Sequence, residues 1–314
     1  MTKIGILGVA HLHADSYVHC LRARDDSALV GVFDRQADRA MAFAHKHGSV
    51  AFDSAEALLN QADVVIVCSE NLFHGQDVCM AAPKPVLCEK PLAAGQEDFA
   101  LLESHIASGA FVATAFPCPF SPTFGRLAAR IQGGEIGEIL AVNATNRGKC
   151  PFGWFTDPAL SGGGAAIDHV VHVADLLFRL LGEEPVSVRA HKGHNMYGEI
   201  WEDTAKLLLD YPSGVFATID SSWSRHQNYK IWGDVTLTVT GSEGVLEADL
   251  FGQGLAVTGQ KTWHSSTGSN LDALLLDDFL SSVRDKREPR STGLDGLRAS
   301  RVALDAYKAI QAAP

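Results

Sequence analysis

Val64-Val65-Ile66-Val67 is an uninterrupted run of β-branched residues in the first third of the chain. A run of this kind is typical of a strand that is buried on both faces, as the strands of parallel sheets are. Other short apolar runs lie at 4–9, 28–33, 86–88 and 111–116, and helix-like segments separate them at 13–24, 38–47, 75–82 and 99–109. This alternation predicts an α/β domain with a parallel, doubly wound sheet.

The alternation ends at Pro117-Cys118-Pro119-Phe120-Ser121-Pro122, where three prolines fall within six residues. Prolines at this density interrupt helices and central strands. We therefore place a domain boundary here, with one domain over 1–118 and a second over 119–314.

Strand-like runs in the second domain follow one another closely, with turn-forming residues between them. They lie at 204–211, 215–222, 235–240 and 244–248, and two amphipathic helices close the chain. Close spacing favours an antiparallel sheet, so the second domain is expected to be α+β. One alternative is left open, that the last helix packs back on the first domain.

The charge and composition of the chain exclude several classes of partner. A net charge of −11 argues against nucleic acid and against an anionic membrane surface. No apolar run reaches the roughly 18 residues of a membrane-spanning helix, and the first residues lack the features of a signal peptide. The six cysteines are scattered without a CxxC pair, so we expect reduced thiols and a cytoplasmic location.

Gly8-Val9-Ala10-His11-Leu12-His13 follows the first predicted strand and precedes a helix. A dinucleotide-binding Rossmann domain has GxGxxG at this place, and only its first glycine is kept here. Asp34 ends the second strand, where a carboxylate can bind the ribose hydroxyls, whereas Arg35 could accept a 2′-phosphate. We therefore expect NAD, with NADP as the alternative. The expected cofactor contacts are Gly8, Ala10, His11, Leu12, Asp34 and Arg35.

The pair of His11 and His13 has a second interpretation. Imidazoles on alternate residues after a first strand can chelate zinc, as in metal-dependent hydrolases built on TIM barrels. That fold needs eight strand–helix units, and the second half of this chain has closely spaced strands instead. We keep the hydrolase as a remote alternative and expect no metal site.

Gly162-Gly163-Gly164 precedes a largely apolar helical segment that carries Asp168 and His172. Residues four apart share one face of a helix, so the acid and the imidazole should face a cleft together. Oxidation of an alcohol removes a proton from oxygen as hydride leaves carbon, and a histidine suits that proton transfer. Lys90, in Glu89-Lys90-Pro91, can hold the developing charge on the same oxygen. The alternative is a buried His–Asp pair with a structural role only.

The chain resembles the Gfo/Idh/MocA family, of the glucose–fructose oxidoreductase and inositol dehydrogenase type, nearly from end to end. The motifs that carry the resemblance are Glu89-Lys90-Pro91-Leu92, Gly133-Gly134-Glu135-Ile136-Gly137-Glu138, Gly162-Gly163-Gly164 with Asp168 and His172, Glu202-Asp203-Thr204-Ala205, and Gly241-Ser242-Glu243-Gly244. The chain departs from the family pattern at Ala10 and His13, and at Val170, where a small residue is usual.

This resemblance implies a Rossmann domain followed by an open, mainly antiparallel sheet through which the chain forms a homodimer or homotetramer. It implies that Lys90 and His172 are catalytic and that Asp168 supports them. The further cofactor contacts that it implies are Ser69, Asn71, His74, Glu89 and Lys90. The expected reaction is an NAD(P)-dependent hydride transfer at a secondary alcohol or ketone of a sugar, cyclitol or related polyol.

Substrate contacts are expected from Lys90, Arg147, Trp154, Asp168 and His172. Trp154 could stack on a pyranose face. Further candidates for the pocket are Lys149, Trp223, Arg225 and His226. Because some relatives of this fold bind dinucleotide without turnover, a non-catalytic regulatory protein is the alternative function.

Overall fold

Residues 64–67 form the central strand of a five-stranded parallel sheet, and all four of them are buried. The strands of this sheet are β1 (Thr2–Leu7), β2 (Ser27–Phe33), β3 (Val64–Val67), β4 (Val86–Cys88) and β5 (Val112–Thr114). Their spatial order is β2-β1-β3-β4-β5, and every pair is parallel. The parallel, doubly wound sheet expected from the alternating pattern is therefore confirmed.

The computed structural model describes residues 1–229, 231–257 and 263–312 of the chain. Its helices are α1 (His13–Arg22), α2 (Ala37–Lys46), α3 (Ala55–Gln61), α4 (His74–Met80), α5 (Gln96–Ala107), α6 (Pro122–Gln132), α7 (Pro158–Ser161), α8 (Ala165–Leu181), α9 (Leu271–Asp285) and α10 (Gly293–Ala312). Across the described residues, no helix is both long enough and apolar enough to cross a membrane.

The chain divides into two structural units. The first consists of Met1–Pro117, Ala159–Gly162 and Asp272–Ser300, and the second of Cys118–Pro158, Gly163–Leu271 and Arg301–Pro314. The parallel sheet belongs to the first unit. Helix α10 contributes its first residues to the first unit and the remainder to the second.

The second unit is built on a six-stranded sheet. Its strands are β6 (Ile139–Gly148), β7 (Ser187–Gly193), β8 (Thr204–Asp210), β9 (Phe216–Ser222), β10 (Gly233–Gly241) and β11 (Val245–Asp249), and the short pair β12 (Gly254–Val257) and β13 (Trp263–Ser266) is separate. The order is β11-β10-β6-β9-β8-β7, with β6 and β9 parallel and the other neighbours antiparallel. The expected mainly antiparallel sheet is confirmed.

Helix α8 packs on this sheet, and its sequence explains why. Most of its residues from Ala165 to Leu177 are apolar and buried, so the helix has to be covered on nearly all sides. It ends at Gly182, whose φ of +72° is a left-handed conformation that glycine adopts without steric strain. The same helix carries Asp168 and His172, so its position in the unit fixes theirs.

Candidate active site

Lys90 is the second residue after β4, at the carboxyl edge of the parallel sheet, and only 6% of it is exposed. The neighbouring Glu89 is fully buried, and its carboxylate accepts hydrogen bonds from the Lys90 backbone N–H at 3.1 Å and from the Tyr17 hydroxyl at 2.5 Å. Both bonds hold the segment that presents the lysine. Carboxyl edges of parallel strands are where ligands of open α/β sheets bind.

Glu89 is held as a carboxylate by the histidines around it. Burial raises the pKa of its carboxyl group, but the charges of His11 and His13 and hydrogen bonds from His13 and Tyr17 lower it more. The net effect is a pKa of Glu89 well below its usual range. The side chain is therefore an anion buried beside Lys90, and such an anion needs the donors that surround it.

The loop between β1 and α1 contains the sequence-predicted cofactor residues Gly8, Ala10, His11 and Leu12. Gly8 has a φ of +74°, and a Cβ at this position would lie 2.4 Å from the Cα of Ser69, so only glycine fits. The helix that follows has no side-chain N-cap. The positive end of the helix dipole favours an anion here, while the backbone N–H groups of His13 and Ala14 donate to His11 Nδ1 and to the His11 carbonyl.

Asp34 ends β2 with its side chain fully buried, and it is tied to the loop because its Oδ2 accepts the Val9 N–H at 2.8 Å. The same carboxylate accepts two hydrogen bonds from the Arg39 guanidinium, at 2.8 and 2.9 Å. Arg39 also pairs with Glu70 at 2.7 Å. Sequence reasoning found Asp34 but missed Arg39, which lies on the following helix.

The second basic residue near this position, Arg35, is engaged by its own partners. Its guanidinium forms two hydrogen bonds with the Asp77 carboxylate, at 2.7 and 2.9 Å, and lies over the Phe73 ring at 4.3 Å. The guanidinium is partly exposed, whereas the Asp77 side chain is buried. The Arg35 guanidinium, next to Asp34 in the chain, therefore reaches solvent, and the buried Asp77 carboxylate balances its charge.

Three residues after β3 hold neighbouring loops of the first unit together. Asn71 donates to the Ser161 carbonyl at 2.9 Å. The His74 ring lies between two carbonyls, with Nδ1 2.8 Å from Pro91 O and Nε2 3.2 Å from Ser69 O. Burial lowers the pKa of His74, whereas the hydrogen bonds to the Pro91 and Ser69 carbonyls raise it, and the contact to Pro91 is the shorter one. This bond fixes the residue that follows Lys90.

In the second unit, the buried Asp168 carboxylate and the half-buried His172 share one face of α8, four residues apart. Trp223 is fully buried and donates its indole N–H to Asp168 Oδ2 at 3.0 Å. The Nε2 of His169 lies 3.2 Å from the same oxygen, while its Nδ1 lies 3.0 Å from the Asn146 carbonyl. Sequence reasoning named Trp223 for the substrate pocket and missed this contact with Asp168.

The first turn of α8 is anchored by residues far away in the sequence. Glu202 Oε1 accepts the backbone N–H groups of Gly164 and Ala166, at 2.8 and 3.2 Å, and the Tyr307 hydroxyl at 2.5 Å. A Cβ on Gly164 would lie 2.1 Å from the Glu202 carbonyl oxygen, so the approach requires glycine. Since Asp168 lies one turn further on, this anchor determines where its carboxylate points.

Aromatic side chains surround this part of the second unit. Trp154 stacks on Phe155 with ring centroids 3.9 Å apart, and Trp201 packs edge-on against Trp223 at 5.4 Å. Trp154 is half-buried, so part of its ring stays accessible, as stacking on a sugar would require. Burial raises the pKa of the nearby Cys150 thiol to about 11.

Arg147, another sequence-predicted substrate residue, is paired within the sheet. Its Nε lies 3.2 Å from Asp234 Oδ1 and its Nη1 lies 3.9 Å from Asp220. Arg225 pairs with the same Asp234 at 2.5 Å. Both arginines are therefore paired with carboxylates of the second unit, which balance their charges.

The first unit fits a dinucleotide on its own geometry. The loop of residues 8–12, the N-terminus of α1 and the strand-end carboxylate of Asp34 are the parts that hold such a cofactor in Rossmann domains. Lys90 lies at the same edge of the sheet. A TIM barrel is excluded because the described strands form open sheets of five, six and two strands.

Two family models match the chain. Residues 2–110 match the one described as an oxidoreductase family with an NAD-binding Rossmann fold, and residues 124–247 match the GFO/IDH/MocA C-terminal domain. Together they extend over most of the chain.

The chain is also similar to several characterised proteins. It is 27% identical to myo-inositol 2-dehydrogenase of Thermotoga maritima, covering 98% of this chain and 96% of the relative. It is 31% identical to D-glucoside 3-dehydrogenase of Escherichia coli, covering 69% of this chain and 66% of the relative. The structure of GenD2 from gentamicin A biosynthesis, in complex with NAD, has the same fold, with a TM-score of 0.88 at 21% identity over 99% of this chain and 94% of GenD2.

Proposed function

The chain belongs to the GFO/IDH/MocA family of oxidoreductases, and from that premise we propose that it is an NAD-dependent dehydrogenase. Its substrate is a secondary alcohol, or the matching ketone, of a sugar, cyclitol or related polyol. The relatives named inositol 2-dehydrogenase and D-glucoside 3-dehydrogenase support this substrate class.

The observation that carries the proposal is the buried Lys90 at the carboxyl edge of the nucleotide-binding sheet. Lysine is rarely buried unless its charge has a partner. Here Glu89 accepts the Lys90 backbone N–H, and the His74 ring contacts the carbonyl of the next residue, Pro91. An ammonium group in this position can polarise a substrate oxygen and stabilise the alkoxide character that develops as hydride leaves.

Each of the other site residues has a role that its environment supports. Bound nicotinamide would accept the hydride from the substrate carbon. His172 takes the hydroxyl proton, and Asp168 on the same face of α8 supports the imidazolium that results. Trp223 keeps the Asp168 carboxylate oriented through its indole N–H.

The first experiment is a fluorescence titration with NADH and NADPH, followed by an oxidation screen of sugars and cyclitols. Lys90→Met should keep its affinity for NADH within about twofold and lower turnover by about a thousandfold. Lys3→Met, which removes an exposed lysine from β1, is the matched control and should turn over like the unchanged protein.

The proposal is rejected if Lys90→Met turns over at the unchanged rate. It is also rejected if the unchanged protein binds dinucleotide yet oxidises no member of the panel, a result that favours the non-catalytic regulatory alternative. That alternative has one observation in its favour, the loss of two fingerprint glycines at Ala10 and His13.

We also propose that the chain assembles into a homodimer or homotetramer through the six-stranded sheet. Phe216 on β9 and Val245 on β11 lie on the same face of the sheet by the register of the strands between them, and each leaves about half of its surface exposed. Exposed apolar side chains on a sheet face are stabilised when a second copy covers them. Light scattering of the purified protein measures the mass directly, and a monomeric mass contradicts this proposal.

A further inference from the structure

The loop between β1 and α1 places two imidazoles where a Rossmann fingerprint has glycine-rich backbone. His13 is the first residue of α1, and its ring meets the His11 ring edge-on with centroids 5.0 Å apart. The Nδ1 of His13 lies 3.1 Å from Glu89 Oε1. The residue that replaces the third glycine therefore makes a specific contact with a buried carboxylate.

This contact leaves one ring nitrogen of His13 for another group. Nδ1 faces the fully buried Glu89 and donates to it, because a carboxylate only accepts. The side chain is 25% exposed, so part of the ring is accessible while Glu89 holds the Nδ1 side. Nε2 can then accept a second proton and donate to an anion.

The charges around His13 favour its protonated form. Burial lowers its pKa, but the Glu89 carboxylate outweighs burial by its charge and by its hydrogen bond, and Asp272 at the start of α9 adds to this. Lys90 acts in the opposite direction. The remaining titratable neighbours, His11 and Tyr17, lie on the loop and on α1. The net pKa of His13 is above its ordinary value of 6.5.

The same three side chains also have the composition of a metal site. The ligand atoms of His11, His13 and Glu89 lie within 4.8 Å of one another. However, His11 Nδ1 accepts the His13 backbone N–H at 3.3 Å, and its Nε2 faces Glu89 at 3.7 Å. A metal ion would need the lone pair of that nitrogen. A metal ion would therefore have to displace contacts that the His11 ring already makes.

We propose that His13, held by Glu89, is a cofactor-binding residue that donates from Nε2 to a phosphate oxygen of the dinucleotide. The Ala10 methyl group hinders the close backbone approach that the second fingerprint glycine allows, and the imidazole of His13 restores the lost affinity by a charge-assisted hydrogen bond. This inference rests on the proposed function, because it takes the dinucleotide as the ligand.

A dependence of cofactor affinity on pH follows. The anionic phosphate raises the pKa of His13 further when it binds, so the complex takes up protons near neutrality. Affinity should be highest below the pKa of His13 in the free protein and should weaken as pH rises through that value. The loss of one charge-assisted hydrogen bond predicts that the dissociation constant of the dinucleotide rises about tenfold across this pH range.

The test is a titration with NADH, followed by energy transfer from tryptophan, between about pH 6 and pH 9. His13→Gln keeps a donor for Glu89 but does not titrate, so it should bind NADH about tenfold more weakly than the unchanged protein at the acid end, with an affinity that stays flat. His19→Gln, which removes an exposed imidazole from the same helix, is the control and should keep the full pH dependence. ADP-ribose, which has the pyrophosphate but no nicotinamide, should show the same dependence as NADH.

The outcomes separate this inference from the proposed function. A flat pH profile of the unchanged protein overturns the role of His13, even if His13→Gln fails to fold, and leaves dinucleotide binding in place. Equal affinities of His13→Gln and the unchanged protein at the acid end also overturn it. One equivalent of zinc bound by the unchanged protein and lost in His13→Gln assigns the cluster to a metal instead. Absence of any NADH or NADPH binding refutes both proposals together.

Discussion

The indole N–H of Trp223 lies 3.0 Å from Asp168 Oδ2, and both residues are buried in the second unit. They are 55 residues apart in the chain, so the contact exists only because β9 delivers the tryptophan to the side of α8. A buried carboxylate needs donors to remain charged. The tryptophan therefore orients the Asp168 carboxylate on the helix that it shares with His172.

Trp223→Phe should preserve most of the packing and remove the donor. A hydrogen bond to a charged group is worth about 1.5–3 kcal/mol, so turnover should fall by about tenfold to a hundredfold while KM changes little. Steady-state kinetics with a substrate from the oxidation screen measures both. Trp232→Phe, at a position that is 51% exposed, is the matched control. Unchanged turnover in Trp223→Phe would show that the contact has no part in the reaction.

Arg39 should govern the choice between NAD and NADP. Its guanidinium covers the Asp34 carboxylate, so it masks the negative charge that repels a 2′-phosphate. Arg39→Ala uncovers that charge and should weaken NADPH binding about tenfold relative to NADH binding. The measurement is the ratio of the two dissociation constants from fluorescence titrations.

A matched control exists in the same unit. Arg24→Ala removes a guanidinium that is also paired with two carboxylates, those of Asp26 and Asp277, and it should leave the ratio unchanged. If Arg39→Ala gives the same ratio as Arg24→Ala, the covering of Asp34 does not determine cofactor choice.

The cysteines should resist thiol reagents in the folded protein. All six are outside disulfides, and five are buried. Burial raises the pKa of the Cys68 and Cys88 thiols well above the ordinary value and that of Cys150 to about 11. Because the thiolate is the reactive form, reaction with the reagent should be slow near pH 8. It should accelerate as the pH rises toward the pKa of the thiols.

Dithiobisnitrobenzoate distinguishes the two states of the protein directly. Near pH 8 the native chain should release no more than about one equivalent of chromophore, from the half-buried Cys79, and the denatured chain should release all six. Rapid release of several equivalents from the native protein would contradict the burial described above.

Local sequence patterns predicted much of the fold. The β-branched run of β3 and the alternation around it were sufficient for the parallel sheet, because strands buried on both faces have few polar residues. Helix α3 was missed because it has only seven residues and buries just Leu58, which leaves no periodic pattern. Strand β6 was missed because polar residues alternate through it.

The candidate site was predicted to the extent that its residues lie close together in sequence. Lys90 was found from its motif, and Asp168 and His172 from their helical spacing. Their supporting residues were not found, because Tyr17 is 72 residues from Glu89 and no local pattern joins them. The sequence also presented His13 as a defect, since only the fold shows that it faces Glu89.

The anchor of α8 has a consequence for how the protein is made. The Tyr307 hydroxyl lies 3.3 Å from the backbone nitrogen of Ile167, which precedes it by 140 residues in the chain. During synthesis, the helix that carries Asp168 and His172 leaves the ribosome long before that hydroxyl does. A nascent chain that stalls before Tyr307 therefore contains Asp168 and His172 but lacks one of the side chains that anchor the first turn of the helix carrying them.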